Sequence, residues 1–153
     1  MSVVPYEEPS TSVLGRCLSP QELISFNKGI LLEVLSASSV ATATVTYSGA
    51  GDEGQINEVC TEPCIDLSVQ ISMLHDRASY QAERGWIRHQ EFKAMSIDDA
   101  LTAFAENVIG QNHSGYEIND GGHGELVMDC KAGRAWLDHH DCYVETEQTV
   151  TEL

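Results

Sequence analysis

Two loops rich in glycine carry the acidic side chains that are best placed for chemistry. The first spans residues 47–56 and the second spans residues 115–125, and each borders a segment typical of a β-strand. Clustered carboxylates bind hard cations such as Mg²⁺ and Ca²⁺, and two of them can act as acid and base if burial separates their pKa values. We expect the loops to meet at one end of a sheet, with Asp52 within contact distance of Asp120. The residues of this loop site are Asp52, Glu53, Glu117, Asp120 and His123, with Glu125 beside them.

The same loops also fit ordinary tight turns. Residues 119–121 read Asn-Asp-Gly, and these residue types tolerate the left-handed backbone conformation that such turns require. The acids do not follow the spacing of a calcium-binding loop, and the first loop lacks the lysine of a phosphate-binding loop. We therefore expect no cofactor and no bound metal, and a metal or ligand site at the loops is the alternative.

Cysteine and histidine offer a second kind of chemistry. Cys60 and Cys64, with His75 downstream, have part of the pattern of a structural zinc site. Such a site needs four ligands, usually as two closely spaced pairs. Cys130 and Cys142 are the remaining candidates, but the predicted hairpin places them on separate parts of the ladder. We expect no zinc, and we interpret Cys60 and Cys64 as small, partly buried residues.

A nucleophilic thiol is a further candidate, with Cys142 as nucleophile beside His123 and Asp141. Nothing in the sequence supplies an oxyanion hole, so we predict no catalytic residue. The five cysteines are an odd number, and residues 1–12 contain two acids and no basic residue, unlike a signal peptide. These features predict reduced thiols and a cytoplasmic location.

The charge of the chain restricts its partners. It has 24 acidic residues against 8 lysines and arginines, a formal net charge of −16. Residues 98–153 contain twelve acids and two basic residues, a net of −10, whereas residues 76–93 contain three acids and four basic residues, a net of +1. Such a chain repels phosphate, so we expect no direct binding of nucleic acid. No apolar stretch approaches the roughly 18 residues of a membrane span, so we expect no membrane partner.

The C-terminal half contains a predicted hairpin with one polar and one apolar face. A turn at residues 132–133 would place Lys131 opposite Arg134, Asp129 opposite Trp136, and Glu125 opposite His140. An exposed aromatic residue among acids is typical of protein-contact surfaces, although partial burial of Trp136 against a neighbouring strand is the alternative. We predict that a binding surface lies on the outer face of the hairpin. Its residues are Glu125, Asp129, Trp136, Asp138 and His140, and the inner face carries Leu126, Met128, Cys130, Ala135 and Leu137.

Two helices are predicted from their capping residues and their apolar spacing. Ser19-Pro20-Gln21-Glu22 is a capping box with proline at the first helical position, and it predicts a helix over about 20–36. Ser96 precedes two acids that favour the first turn of a second helix, which ends near Gly110. In both segments the apolar residues recur at helical spacing on one face.

The remaining segments have the alternation typical of strands. Strands are predicted at about 40–47, 55–61, 65–73, 115–119, 124–131 and 134–143, and residues 74–95 are the least readable, with a helix over 73–84 as an alternative. We predict an α+β fold, an antiparallel sheet of about five or six strands with two main helices on one face. Residues 1–18 would form a flexible N-terminal arm, 19–144 a single domain, and 145–153 a frayed acidic tail.

The two loops together resemble an uncharacterised domain family of bacterial, phage and plasmid proteins. The motifs are Tyr-Ser-Gly-x-Gly-Asp-x-Gly-x-Ile and Gly-Tyr-Glu-Ile-Asn-Asp-Gly-x-x-Gly-Glu, and the resemblance covers roughly residues 40–143. It implies a small intracellular protein, often from a mobile element. It implies no reaction, cofactor or catalytic residue.

These observations lead to a functional hypothesis. We expect an acidic, non-enzymatic interaction protein of a phage or plasmid, an inhibitor that occupies a basic, nucleic-acid-binding surface of a host or defence protein. One alternative is a small metal-dependent hydrolase or ligand-binding domain that uses the two loops. Another is a subunit of a larger assembly, in which the basic residues of 76–93 meet acidic neighbours.

Overall fold

The computed structural model describes residues 11–12, 14–50, 53–83, 85–113, 115, 121–143 and 145–153. The α+β class predicted from the sequence is confirmed. None of the described helices combines the length and apolar content needed to cross a bilayer. In chain order the elements are β1 (Thr11–Ser12), α1 (Pro20–Ala37), β2 (Thr42–Ala50), β3 (Glu53–Glu62), β4 (Gln70–Gln81), β5 (Gly85–Ser96), α2 (Ile97–Asn112), β6 (Gly122–Asp129) and β7 (Arg134–Asp141).

Both helices begin where their capping residues predict. The Ser19 hydroxyl accepts a hydrogen bond from the Glu22 amide at 3.2 Å, and the Glu22 carboxylate accepts one from the Ser19 amide at 3.0 Å. At the second helix, the Ser96 hydroxyl accepts a hydrogen bond from the Asp99 amide at 3.0 Å. These bonds satisfy amide groups that have no partner within the first turn of a helix.

The strands form two sheets instead of the one sheet that we predicted. A four-stranded sheet has the order β3-β2-β6-β7, and all its pairs are antiparallel. The second sheet is a long antiparallel hairpin of β4 and β5, with β1 joined in parallel to β5. The β4–β5 hairpin is separate from the four-stranded sheet because β4 and β5 pair with each other along all twelve residues of each strand.

The segment before and within β4 departs from the sequence interpretation. The strand begins at Gln70 and not near Ile65, because the Asp66 carboxylate accepts hydrogen bonds from the Ser68 amide at 3.0 Å and the Ser68 hydroxyl at 2.6 Å. Short polar side chains that bond the backbone in this way favour turns. The alternative helix over 73–84 is wrong, because the segment is a strand to Gln81.

The register of the β6–β7 hairpin differs from the prediction by two residues. Asp129 lies opposite Arg134, and Glu125 lies opposite Asp138. The turn spans residues 130–133, because the Asp129 carboxylate accepts a hydrogen bond from the Ala132 amide at 3.1 Å and Gly133 takes a positive φ of 65°. A shift of two residues leaves each side chain on its predicted face, since side chains alternate with a period of two.

The core lies between both helices and one side of the four-stranded sheet, which we call the inner face. The predicted inner-face residues Leu126 and Met128 are each about as buried as the helix residues Leu31 and Leu101 that pack with them. Cys130, Ala135 and Leu137 are partly buried against the same cluster. Both helices therefore cover the inner face, as predicted, and the opposite side of the sheet is the outer face.

The ends of the chain are described in part. Residues 1–10 lie outside the described residues, whereas Thr11–Ser12 pairs with His89 and Gln90 of β5. Leu18 is buried, and Gln90 donates a hydrogen bond to its carbonyl at 2.9 Å. Residues 145–153 are exposed and belong to no helix or strand. The strand predicted over 115–119 lies outside the described residues except at Gly115.

Candidate protein-interaction site

The five residues predicted to form a binding surface lie together on the outer face of the four-stranded sheet. Side chains of the inner face are covered by the helices, whereas alternate residues of β6 and β7 point the other way and are exposed or half-buried. This geometry places β6 and β7 side by side with β2 and β3 beyond them. The residues concerned are Glu125, Asp129, Trp136, Asp138 and His140.

Three carboxylates share one row across this face. In the ladder Glu58 pairs with Thr46, Thr46 pairs with Glu125, and Glu125 pairs with Asp138. Residues opposite each other in an antiparallel pair have Cβ atoms about 4.5–5.5 Å apart, and like charges in that position are destabilising. The row therefore contains a like-charge pair, Glu125 and Asp138, that no basic residue within the row offsets.

The next two rows add Trp136, two more acids and one cation. Cys60, Thr44, Val127 and Trp136 form the second row, and Glu62, Thr42, Asp129 and Arg134 form the third. Within the described strands of this sheet Arg134 is the one lysine or arginine. Its guanidinium carbon lies 5.6 Å from the ring centre of Trp136, within the range of a cation–π contact.

Trp136 is the large apolar residue of the outer face. Its side chain lies opposite Val127, and the residue is 42% exposed. The predicted alternative of partial burial against a neighbouring strand is thus compatible with an accessible indole surface. A half-exposed aromatic ring beside acids has the composition of an anchor residue in a protein contact.

Two histidines border a shallow cavity next to the row of Glu58, Glu125 and Asp138. His123 lies opposite His140, with ring centres 5.1 Å apart, and His140 Nε2 is 3.2 Å from Asp138 Oδ1. The cavity has a volume of about 360 Å³ and is lined by His123, His140, Glu125, Asp138 and Thr46, among others. His123 was assigned to the loop site, and the structure places it on the outer face beside the predicted binding residues.

The described ends of the two glycine loops adjoin. Gly49 pairs with Gly122 where β2 ends and β6 begins. Gly121 has a positive φ of 80°, and a Cβ at this position would overlap the carbonyl oxygen of Gly49. Only glycine permits this close approach of two backbones.

Most of the acidic residues predicted for the loop site are not among the residues that the structure describes. Asp52, Glu117 and Asp120 lie outside the described residues, and Glu53 is exposed at the start of β3. Contact between Asp52 and Asp120 therefore stays a prediction. Within the described ranges, no three His, Cys, Asp or Glu residues are arranged to bind a metal ion.

The cysteines are free thiols, and the proposed nucleophile set is not assembled. The register that placed His123 opposite Cys142 is wrong, because His123 pairs with His140 and Cys142 follows the end of β7. A hydrogen bond with Glu58 raises the pKa of the Cys60 thiol, and burial raises that of Cys130. Raised pKa values disfavour the thiolate form, which is the reactive one.

A family match covers most of the chain. A family model described as a family of unknown function, DUF6878, matches residues 23–153. The chain belongs to DUF6878. This confirms the expected membership in a family without an assigned activity. No curated protein and no solved structure matches the chain.

This DUF6878 chain also contains a polar network around a buried histidine that the sequence interpretation missed. His139 Nδ1 is 2.5 Å from the Tyr47 hydroxyl, and His139 Nε2 is 2.8 Å from Asp141 Oδ1. The His139 side chain is 3% exposed, and the ring of His113 stacks on it with centres 3.8 Å apart. With the proton on Nε2, the neutral imidazole donates to Asp141 and accepts from Tyr47.

Two signals in the sequence could have located this network. Alternation along β7 places His139 on the inner face when Asp138 and His140 are on the outer face. Gly124 is the second signal, because a Cβ there would overlap the Tyr47 hydroxyl. The network joins β2, β7 and the end of α2, and its Tyr47 is only 1% exposed.

Proposed function

We propose that this chain is an acidic interaction protein that acts without catalysis and binds a basic surface of a protein partner through its outer face. The observation that carries the proposal is the row of Glu58, Glu125 and Asp138, in which two carboxylates lie directly opposite each other. In a free chain this arrangement costs stability. A basic partner removes that cost and gains the attraction of all three carboxylates.

The rest of the outer face supports a contact of this kind. The central strand β2 contributes the short side chains of Thr42, Thr44 and Thr46, so a partner can approach the sheet closely. Trp136 supplies an apolar anchor one row from the carboxylates. Acidic residues give long-range attraction and orientation, and a desolvated aromatic residue gives residence time.

The partner surface that we propose is one that holds DNA or RNA. Such surfaces are built from lysine and arginine to accept rows of negative charge, and an acidic sheet face competes for the same groups. This fits an inhibitor from a phage or plasmid that acts in the cytoplasm on a host or defence protein. The support for it is the net charge of −16 and the resemblance described above.

The test compares two triple variants with the same change in net charge. Glu58→Gln, Glu125→Gln and Asp138→Asn remove three charges from the outer face, and Glu145→Gln, Glu147→Gln and Glu152→Gln remove three from the exposed C-terminal segment. Proteins captured on the tagged native chain from its host would be identified and the association rate of each variant measured. We expect the outer-face variant to lose most of its association rate and the C-terminal variant to keep it.

Salt gives a second arm of the same test. The screening length falls from about 10 Å at 0.1 M salt to about 3 Å at 1 M, so binding should weaken steeply over this range. A partner whose binding responds to neither salt nor the outer-face variant would contradict the proposal. The negative charge would then serve solubility only.

A further inference from the structure

A cavity of about 350 Å³ opens on the helix side of the four-stranded sheet. It lies where α1 and α2 meet the inner face of β6 and β7. Its apolar lining includes Ile24, Phe104, Val108, Leu126 and Leu137. Small-molecule sites have volumes of about 300–1,000 Å³ and mostly apolar walls with few polar groups.

The polar groups of this cavity are basic or neutral among the residues that the structure describes. Lys28, Asn112 and His113 line it, and no described acidic residue does. The Asn112 amide nitrogen donates to the Val108 carbonyl at 2.8 Å, which fixes that side chain at the wall. Within the described part of the chain, Lys28 forms no ion pair, although acidic residues outnumber basic ones three to one.

His113 is held in position at the same wall. Its ring stacks on His139 with centres 3.8 Å apart, and His139 is fixed in turn by Tyr47 and Asp141. A ring fixed by stacking retains its nitrogen atoms for a ligand and loses little conformational freedom on binding. Lys28 and His113 are therefore two polar groups in the wall of a cavity that is otherwise lined mainly by apolar side chains.

We propose that this cavity binds a small carboxylate with an apolar body. The carboxylate accepts hydrogen bonds from Lys28 and His113, and the apolar body packs against Phe104, Val108 and Leu137. Lys28 is the charged side chain among the described lining residues apart from His113, and its positive charge favours an anion over a cation. A neutral apolar molecule leaves the ammonium group of Lys28 partly desolvated without a partner, so it binds more weakly than the anion.

The test uses decanoate as the probe and isothermal titration calorimetry as the readout. We expect a saturable heat of binding with decanoate and a dissociation constant at least about tenfold weaker for decan-1-ol and for decylammonium. Equal affinity for decanoate and decan-1-ol would overturn the assignment of an anion site.

Lys28→Met and Lys131→Met form a matched pair. Both remove one positive charge, but Lys131 is exposed in the β6–β7 turn and does not line the cavity. Lys28→Met should weaken decanoate binding about tenfold, and Lys131→Met should leave it unchanged. Equal effects of the two variants would contradict the proposal.

A filled cavity provides an independent check. Val108→Trp should abolish the decanoate signal without a change in charge, and a circular dichroism spectrum shows whether the variant folds. If it does not fold, Ala135→Leu fills the same cavity from β7. No saturable signal with the native chain up to about 1 mM decanoate would overturn the proposal.

Discussion

The outer face of the four-stranded sheet and the β4–β5 hairpin are both exposed β-structure, but they differ in how their charges are paired. In the hairpin Arg77 Nε lies 3.0 Å from Glu91, and Arg88 lies 2.7 Å from Asp76. On the outer face Glu125 lies opposite Asp138, and Asp138 has His140 as a neighbour at 3.2 Å instead of an arginine or lysine. Two of the four basic residues predicted to meet acidic neighbours, Arg77 and Arg88, are thus paired within the hairpin.

The two regions also present their aromatic residues differently. Tyr80 and Trp86 form an edge-to-face pair near the hairpin end, with ring centres 5.6 Å apart, and they are 64% and 69% exposed. Trp136 stands among carboxylates on the outer face. The partner that we propose would therefore be attracted by the outer face, whereas the hairpin contributes an exposed aromatic pair near its end.

The largest expected effect tests whether the four-stranded sheet is the more tightly packed region. Gly124→Ala places a Cβ against the Asp138 carbonyl and the Tyr47 hydroxyl. It should lower the free energy of unfolding by about 3 kcal/mol, at the upper end of overpacking effects. Gly85→Ala in the hairpin meets no atom within 4 Å and has only its φ of 77° as strain. It should cost about 1–2 kcal/mol.

Urea unfolding of both glycine variants measures this difference. The native chain and each variant are compared at one pH and one salt concentration, so that only the packing changes. Equal losses of stability would show that the Tyr47–His139 network does not constrain the sheet.

The second effect concerns binding. Trp136→Ala should weaken the complex with a basic partner by about 2 kcal/mol, mainly through faster dissociation, because it removes buried apolar contact. Trp86→Ala removes the same side chain from the hairpin and should leave dissociation unchanged. Surface plasmon resonance with the captured partner separates the two rate constants. A larger effect of Trp86→Ala would move the interface to the hairpin.

The third effect is a change in the stability of the free chain on glutamate-to-lysine substitution, and we expect opposite signs in the two regions. Glu125→Lys converts the like-charge pair with Asp138 into an opposite-charge pair, and it should stabilise the free chain by about 0.2–1 kcal/mol while it abolishes partner binding. Glu91→Lys breaks the ion pair with Arg77 and should destabilise the chain by up to about 1 kcal/mol. The same type of substitution thus distinguishes a surface with a like-charge pair from one with an opposite-charge pair. Chemical denaturation of both variants measures the change in the free energy of unfolding. Destabilisation by Glu125→Lys would argue against the like-charge cost.

The sequence was sufficient where short-range chemistry determines structure. Caps at Ser19 and Ser96 located both helices, and alternation assigned Leu126 and Glu125 to opposite faces. The hairpin register required more, because the Asp129 side chain lengthens the turn by bonding the Ala132 amide. The Ala-Gly pair at residues 132–133 does not reveal whether a side chain closes the turn, so it could not determine the length of the turn.

The β4–β5 hairpin and the network of His139 could not be predicted from local sequence patterns, for a different reason. Met73 and Leu74 are consecutive and both buried, so the strand packs on two sides at its base and loses its alternation. Tyr47 and His139 are distant in sequence, and only the order β2-β6-β7 brings them together across Gly124. Tertiary pairing determined both features.

The smallest expected effect is a dependence of stability on pH at the start of α1. A bidentate interaction with Arg16, and then the Ser19 amide, lowers the pKa of Glu22 from 4.5 to about 2. Because the folded pKa is lower than the unfolded one, the stabilisation is complete above pH 4.5 and is lost as the pH falls toward 2. Glu22→Gln should therefore remove part of the acid dependence of the urea midpoint in this window only. Glu33→Gln, on the same helix and without an ion pair in the described residues, is the control and should leave the dependence as it is in the native chain. Since the pair is exposed, the effect is small, and identical curves for both variants would show that Arg16 and Glu22 do not interact in solution.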